Sequence, residues 1–231
     1  MNINVKNIIR ILRFIHYSLF FNFKFLPFKQ AIKLPILLYK PKLSNNKGKY
    51  TIESPVSFGM IRLGFPTVSI YPNSGIILEN KGNMIFQGKC RIGNNSAISI
   101  GERGWINIGN NFVANTTLKI VCYHKINISN DVLVGWDVLI MDTDFHSMKT
   151  ITSNNRSKGY GPIIIGNNIW IASYCNIYKN TEIPGWCTVS SNTIINKKVN
   201  AQPYSVIYNP ISVETKYVAR YRDNDDKMWY E

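Results

Sequence analysis

The 231 residues contain three histidines, His16, His124 and His146, and only His146 has acidic neighbours at a spacing that suggests chemistry. Asp142 and Asp144 stand four and two residues before it. Alternate residues of an extended strand share a face, so all three side chains could open into one cleft. A carboxylate beside an imidazole fixes its tautomer and stabilises its protonated form, as a general base working near neutral pH requires. The plain alternative is a solvated turn with incidental acids. His16 falls in a basic N-terminal stretch. His124 lies between Tyr123 and Lys125 with no carboxylate within five residues, and reads as a surface residue. Lys197, Lys198 and Lys179 are cations that a phosphate could use, or simply solvated side chains. Cys90, Cys122, Cys175 and Cys187 match no zinc spacing and read as reduced thiols in a cytoplasmic protein.

The elements that must carry these residues show in the repeat. Counting in sixes from Ile165 meets Ile171, Ile177, Ile183, Val189 and Ile195, an aliphatic residue every time. Neither a helix nor a half-buried strand has that period. A coil of short parallel strands does, each turn burying its aliphatic residue against the turns on either side. Gly166, Ala172, Pro184 and Ser190 follow several of these positions. Upstream the pattern loosens: Ile92-Gly93, Ile100-Gly101 and Ile108-Gly109 recur every eight residues, as turns with two extra residues would give. Between Ile140 and Ile165 the phase breaks, and the interval holds the polar segment 147–162. The spacing predicts a loop extruded directly after His146.

Charge divides the chain. Of a formal net charge of +14, ten positive residues precede the first acid, Glu53. Within 4–26, Ile8, Leu12, Ile15 and Leu19 recur at helical spacing, with Lys6, Arg10 and Arg13 largely off that stripe. The longest stretch free of Lys and Arg is Phe14–Phe23, ten residues, about half of what a membrane span needs. This reads as an interfacial helix facing anionic head groups, or as a helix packed on the protein's own core or on a neighbouring subunit. Nucleic acid is a poorer fit, because the basic residues lie among Ile, Leu and Phe. The segments are then 1–49, a basic amphipathic N-terminal stretch; 50–210, the coil, with irregular strands starting from Tyr50; and 211–231, a tail whose end, Met228–Glu231, could dock on a partner subunit.

The run Asn168-Ile-Trp170-Ile-Ala-Ser173, the repeats after it, and Asp142-Thr-Asp144-Phe-His146 resemble the hexapeptide-repeat acyltransferases, chiefly the polysaccharide and lipopolysaccharide O-acetyltransferases and the galactoside and xenobiotic acetyltransferases. The resemblance covers roughly residues 76–210. It implies an all-β fold, a left-handed parallel β-helix with a protruding loop. It also implies a homotrimer with active sites between coils, acetyl-CoA as cosubstrate, and a histidine base at the place of His146. The orienting aspartate, Asp142 or Asp144, can be replaced by a residue from another coil or subunit. By the same resemblance Trp170 lies near the thioester arm, and Ser173, Ser191 and Asn196 where the cofactor's pantetheine and adenine parts are met. Ala172 and Ser190 neighbour these contacts, Lys197 and Lys198 suit its phosphates, and an N–H of Ala172 or Ser173 suits the oxyanion. Ala172 stands where the family usually has glycine. No metal is expected: a zinc-dependent carbonic anhydrase of this fold needs three histidines, and only two lie in the coil. The expected activity is O-acetylation of a sugar in a bacterial surface glycan or its lipid-linked precursor, peripheral to the membrane's inner face. The alternatives are N-acetylation of a nucleotide-linked amino sugar, or a trimeric scaffold without activity.

Overall fold

A computed structural model of the protein describes residues 5–153, 155–210 and 220–222. The side chains of Lys6, Ile8, Arg10, Leu12 and Arg13, which belong to the expected N-terminal stripes, and the tail end Met228–Glu231 lie outside what is described.

The chain winds as the left-handed parallel β-helix that its repeat predicts, with three flat sheets as walls. The first sheet stacks eight strands, from Ile36–Leu38 to Val206–Ile207; the second stacks seven, from Pro41–Ser44 to Ile194–Ile195; the third stacks six, from Lys49–Ile52 to Glu182–Ile183. The first six coils each contribute one strand to each wall, and the last turns leave the second and third walls shorter. The six aliphatic residues of the hexad point into the lumen, and all are buried. Each such side chain contributes roughly 1.5–3 kcal/mol on leaving water.

The corners have their own period. Asn168, Tyr174, Asn180, Trp186 and Asn192, six apart, all take positive φ between 55° and 63°. A strand that must turn by a third of a circle within a few residues needs this left-handed conformation, which asparagine tolerates and aromatic residues rarely adopt.

Coil length is uneven. Thr188 pairs with Trp170 eighteen residues earlier, whereas Val113 pairs with Leu133 twenty residues on, and Arg91 with Val113 twenty-two on. Leu133 pairs with Trp170 thirty-seven residues later, so one coil carries an extruded arm without disturbing the register of its walls. The arm leaves the second sheet after Met141 and rejoins the third at Ile163, departing before His146 and not after it as the sequence suggests.

The coil also starts earlier than Tyr50, at Ile36. Ahead of it the helix α1, Val5–Phe25, lies across the open end of the lumen. Phe21 and Leu26 are buried there, with Phe21 and Phe25 edge-on to Tyr50 of the first coil. Buried Asn22 donates to the Ile36 carbonyl at 2.7 Å and accepts from the Ile36 N–H at 3.2 Å, and Ser18 accepts from the Leu38 N–H at 2.9 Å. These side chains complete an edge strand that would otherwise bury unpaired backbone groups. The C-terminal part of the helix therefore packs on the protein's own core.

Candidate active site

The arm is rooted at the corner between the second and third sheets. Asp142 is fully buried, and its two carboxylate oxygens accept from the backbone N–H groups of Tyr123 and His124, each at 2.8 Å, in the preceding coil. Burial pushes its carboxyl above the usual aspartate range, against the partial offset of those two bonds. Phe145 packs edge-on against Tyr123 with ring centroids 4.9 Å apart, and Tyr160, on the returning limb, lies 4.8 Å from His124. The limbs are tied by Asp144 N–H to the Gly159 carbonyl at 2.7 Å and by Gly161 N–H to the Asp142 carbonyl at 3.0 Å.

Phe145 has φ of 58°, which ends the strand alternation between Asp144 and His146. The three side chains therefore do not share one face. Asp142 points inward to the turn it holds, while Asp144 and His146 are exposed. Asp144 pairs with Lys179 at 2.7 Å, and the same ammonium donates to the Lys158 carbonyl at 2.9 Å. Lys179 thus clasps both limbs of the arm to the next coil, and Asp144, Tyr178, Lys179, Asn180 and Asn196 line one recess beside it. Nothing in the sequence marked this clasp, since Lys179 and Asp144 meet only through the coil's stacking. No described residue hydrogen-bonds the ring of His146.

The remaining candidates divide among other places on the coil. Trp170, half exposed, stands on the outer face of the first sheet between Leu133 and Thr188. Ala172, Ser173, Ser190 and Ser191 lie at the corner between the first and second sheets. The Ala172 N–H is bonded to the Val189 carbonyl at 2.9 Å, so the expected oxyanion donor is not Ala172. The Ser173 hydroxyl accepts from the Trp136 N–H at 3.1 Å. Lys197 is exposed, and Lys198 pairs with Glu182 at 2.9 Å on the surface. Of the cofactor candidates, Asn196 and Lys179 join the recess beside the arm. Among the described residues no three His, Cys, Asp or Glu side chains gather as metal ligands would.

No family model matches the chain. It is 26% identical over 145 residues to the galactoside O-acetyltransferase of Escherichia coli (strain K12), covering 58% of this chain and 68% of that protein. It is 27% identical over 151 residues to an uncharacterized 24.8 kDa protein in the cps region of Klebsiella pneumoniae, covering 64% of each. The crystal structure of the polySia specific acetyltransferase NeuO aligns with a TM-score of 0.46 and 17% identity, over 81% of this chain and 85% of that one. The repeat, the coil and the galactoside O-acetyltransferase match point the same way, and the chain is similar to the hexapeptide-repeat acyltransferases.

Proposed function

We propose that the protein transfers an acetyl group from acetyl-CoA to a hydroxyl of a sugar in a bacterial surface glycan or its lipid-linked precursor, with His146 as general base. The observation that carries this is the placement of His146: an exposed imidazole on an arm whose root is fixed by Asp142 and whose limbs are clasped by Lys179. In the reaction His146 takes the acceptor hydroxyl's proton as the oxygen attacks the thioester carbonyl. The C–S bond then breaks, and the imidazolium returns the proton to the departing CoA sulfur. The backbone N–H of Ser173, at that corner, serves the oxyanion.

The candidates occupy different corners of one coil, so a single chain does not assemble them. This supports a homotrimer in which the His146 corner of one subunit meets the Ser173–Ser191 corner of its neighbour, with acetyl-CoA between them. The orienting partner of His146 then comes from the neighbouring subunit, and Asp144 acts as a positioning residue through Lys179. A peripheral position at an anionic membrane surface belongs to the same reading, since it brings a lipid-linked acceptor to the site.

The test is the rate of CoA release with a glycan acceptor, alongside direct binding of acetyl-CoA. His146→Ala lowers turnover by roughly 10²- to 10⁴-fold, as loss of a general base does, and leaves acetyl-CoA affinity nearly unchanged. His124→Ala is nearly silent. Near-normal turnover in His146→Ala would overturn the mechanism.

A further inference from the structure

From Phe14 on, the helix α1 is amphipathic the wrong way round for a helix in water. Its face toward the protein carries the buried polar residues Ser18 and Asn22 beside Phe21, because the open end of the coil needs their hydrogen bonds. Its outward face carries Tyr17, Leu19, Phe20 and Phe23, between 39% and 54% exposed. The chain that follows extends this surface: Phe28 is 68% exposed and Ile32 54%, and the Phe23 and Phe28 rings lie 6.1 Å apart. A surface of adjacent aromatic residues on this scale marks a binding face.

The charges around it indicate what covers it. Lys24, Lys29 and Lys33 are exposed within the same segment, and the sequence has no acidic residue before Glu53. The Lys24 ammonium lies 5.2 Å from the Phe20 and Phe25 ring centroids, its stem laid along the aromatic surface with the charge at the rim. Apolar rings with ammonium groups at their rim, on a segment that has no carboxylate of its own, complement the boundary between anionic head groups and acyl chains. No helix among the described residues is long and apolar enough to cross a bilayer.

We infer that the outer face of α1 and the turn after it is a docking surface for anionic lipid. Phe20, Phe23 and Phe28 enter the acyl boundary, and Lys24, Lys29 and Lys33 meet the phosphates. The capped end of the coil then faces the membrane. This deepens the membrane position proposed above and does not depend on the acetyl-transfer chemistry.

The experiment uses the full chain without acetyl-CoA, so that its failure leaves the catalytic reading untouched. Binding is measured by flotation with phosphatidylglycerol–phosphatidylcholine vesicles and with phosphatidylcholine vesicles alone. The wild type floats with the former and much less with the latter. Lys24→Gln/Lys29→Gln/Lys33→Gln weakens binding to the anionic vesicles by roughly a hundredfold, at the usual contribution per basic residue. Phe20→Ser/Phe23→Ser/Phe28→Ser abolishes flotation with an unchanged melting temperature, since all three rings are already exposed. A wild type that does not bind anionic vesicles, or serine variants that float as it does, overturns the proposal. Serine variants that change the oligomeric state in light scattering also overturn it, because the face is then an interface between copies of this chain.

Discussion

Asp142 holds the root of the arm, both its carboxylate oxygens accepting from backbone N–H groups of the preceding coil. Asp142→Asn keeps the shape but turns an amide NH₂ toward one of two N–H donors, so the variant loses about 1–3 kcal/mol, read as a shift in denaturant midpoint. The loss depends on pH. Because burial raises the Asp142 carboxyl, the folded state holds its proton more tightly than the unfolded chain does. Its contribution to stability is complete below the unfolded value, near 4, and is lost as pH rises through the higher folded value. The asparagine does not titrate, so its deficit relative to wild type grows as pH falls through the folded value toward the unfolded one; a deficit that shrinks on acidification contradicts this account. Lys179→Met releases both limbs of the arm, and turnover falls roughly ten- to a hundredfold through misplacement of His146. Acetyl-CoA affinity is unaffected in that variant. If affinity falls and turnover does not, Lys179 instead meets the cofactor's phosphates. The sequence made His146 and its acids conspicuous but not their division of labour. The partners of Asp142 lie one coil earlier, and the positive φ of Phe145 breaks the alternation that the spacing implied.

At the level of elements, the walls from Ile165 onward were readable because every sixth residue there, through Ile195, is a buried aliphatic side chain. The cap was not. Ser18 and Asn22 look like polar interruptions of an apolar helix until the edge they satisfy is seen. Asn22→Ala strands the Ile36 N–H and carbonyl without partners and costs about 2–4 kcal/mol, measurable by denaturant unfolding. Removing residues 1–35 uncovers the whole edge of the first coil, and the truncated chain aggregates or unfolds, as size-exclusion chromatography would report. Corner chemistry was also hidden, since the left-handed conformation falls on Tyr174 and Trp186 as readily as on Asn168, Asn180 and Asn192.

For the whole molecule, the proposed trimer is checked by light scattering, where three chains per particle are expected at micromolar concentration and a monomer would count against the shared site. The sequence of coil lengths has a mechanical consequence. Along the walls each coil pairs only with its neighbours, so once Arg220–Arg222 has parted from Met148–Thr150 of the arm, a chain pulled from its C-terminal end peels one turn at a time. The pairings of Thr188 with Val206, Trp170 with Thr188 and Leu133 with Trp170 set successive releases of 18, 18 and 37 residues. At about 3.3–3.6 Å per extended residue, an optical trap would record two steps of roughly 60 Å and then one about twice as long. The arm that carries His146 would thus announce itself as a doubled stride in the unravelling, a length signature independent of any enzymatic assay.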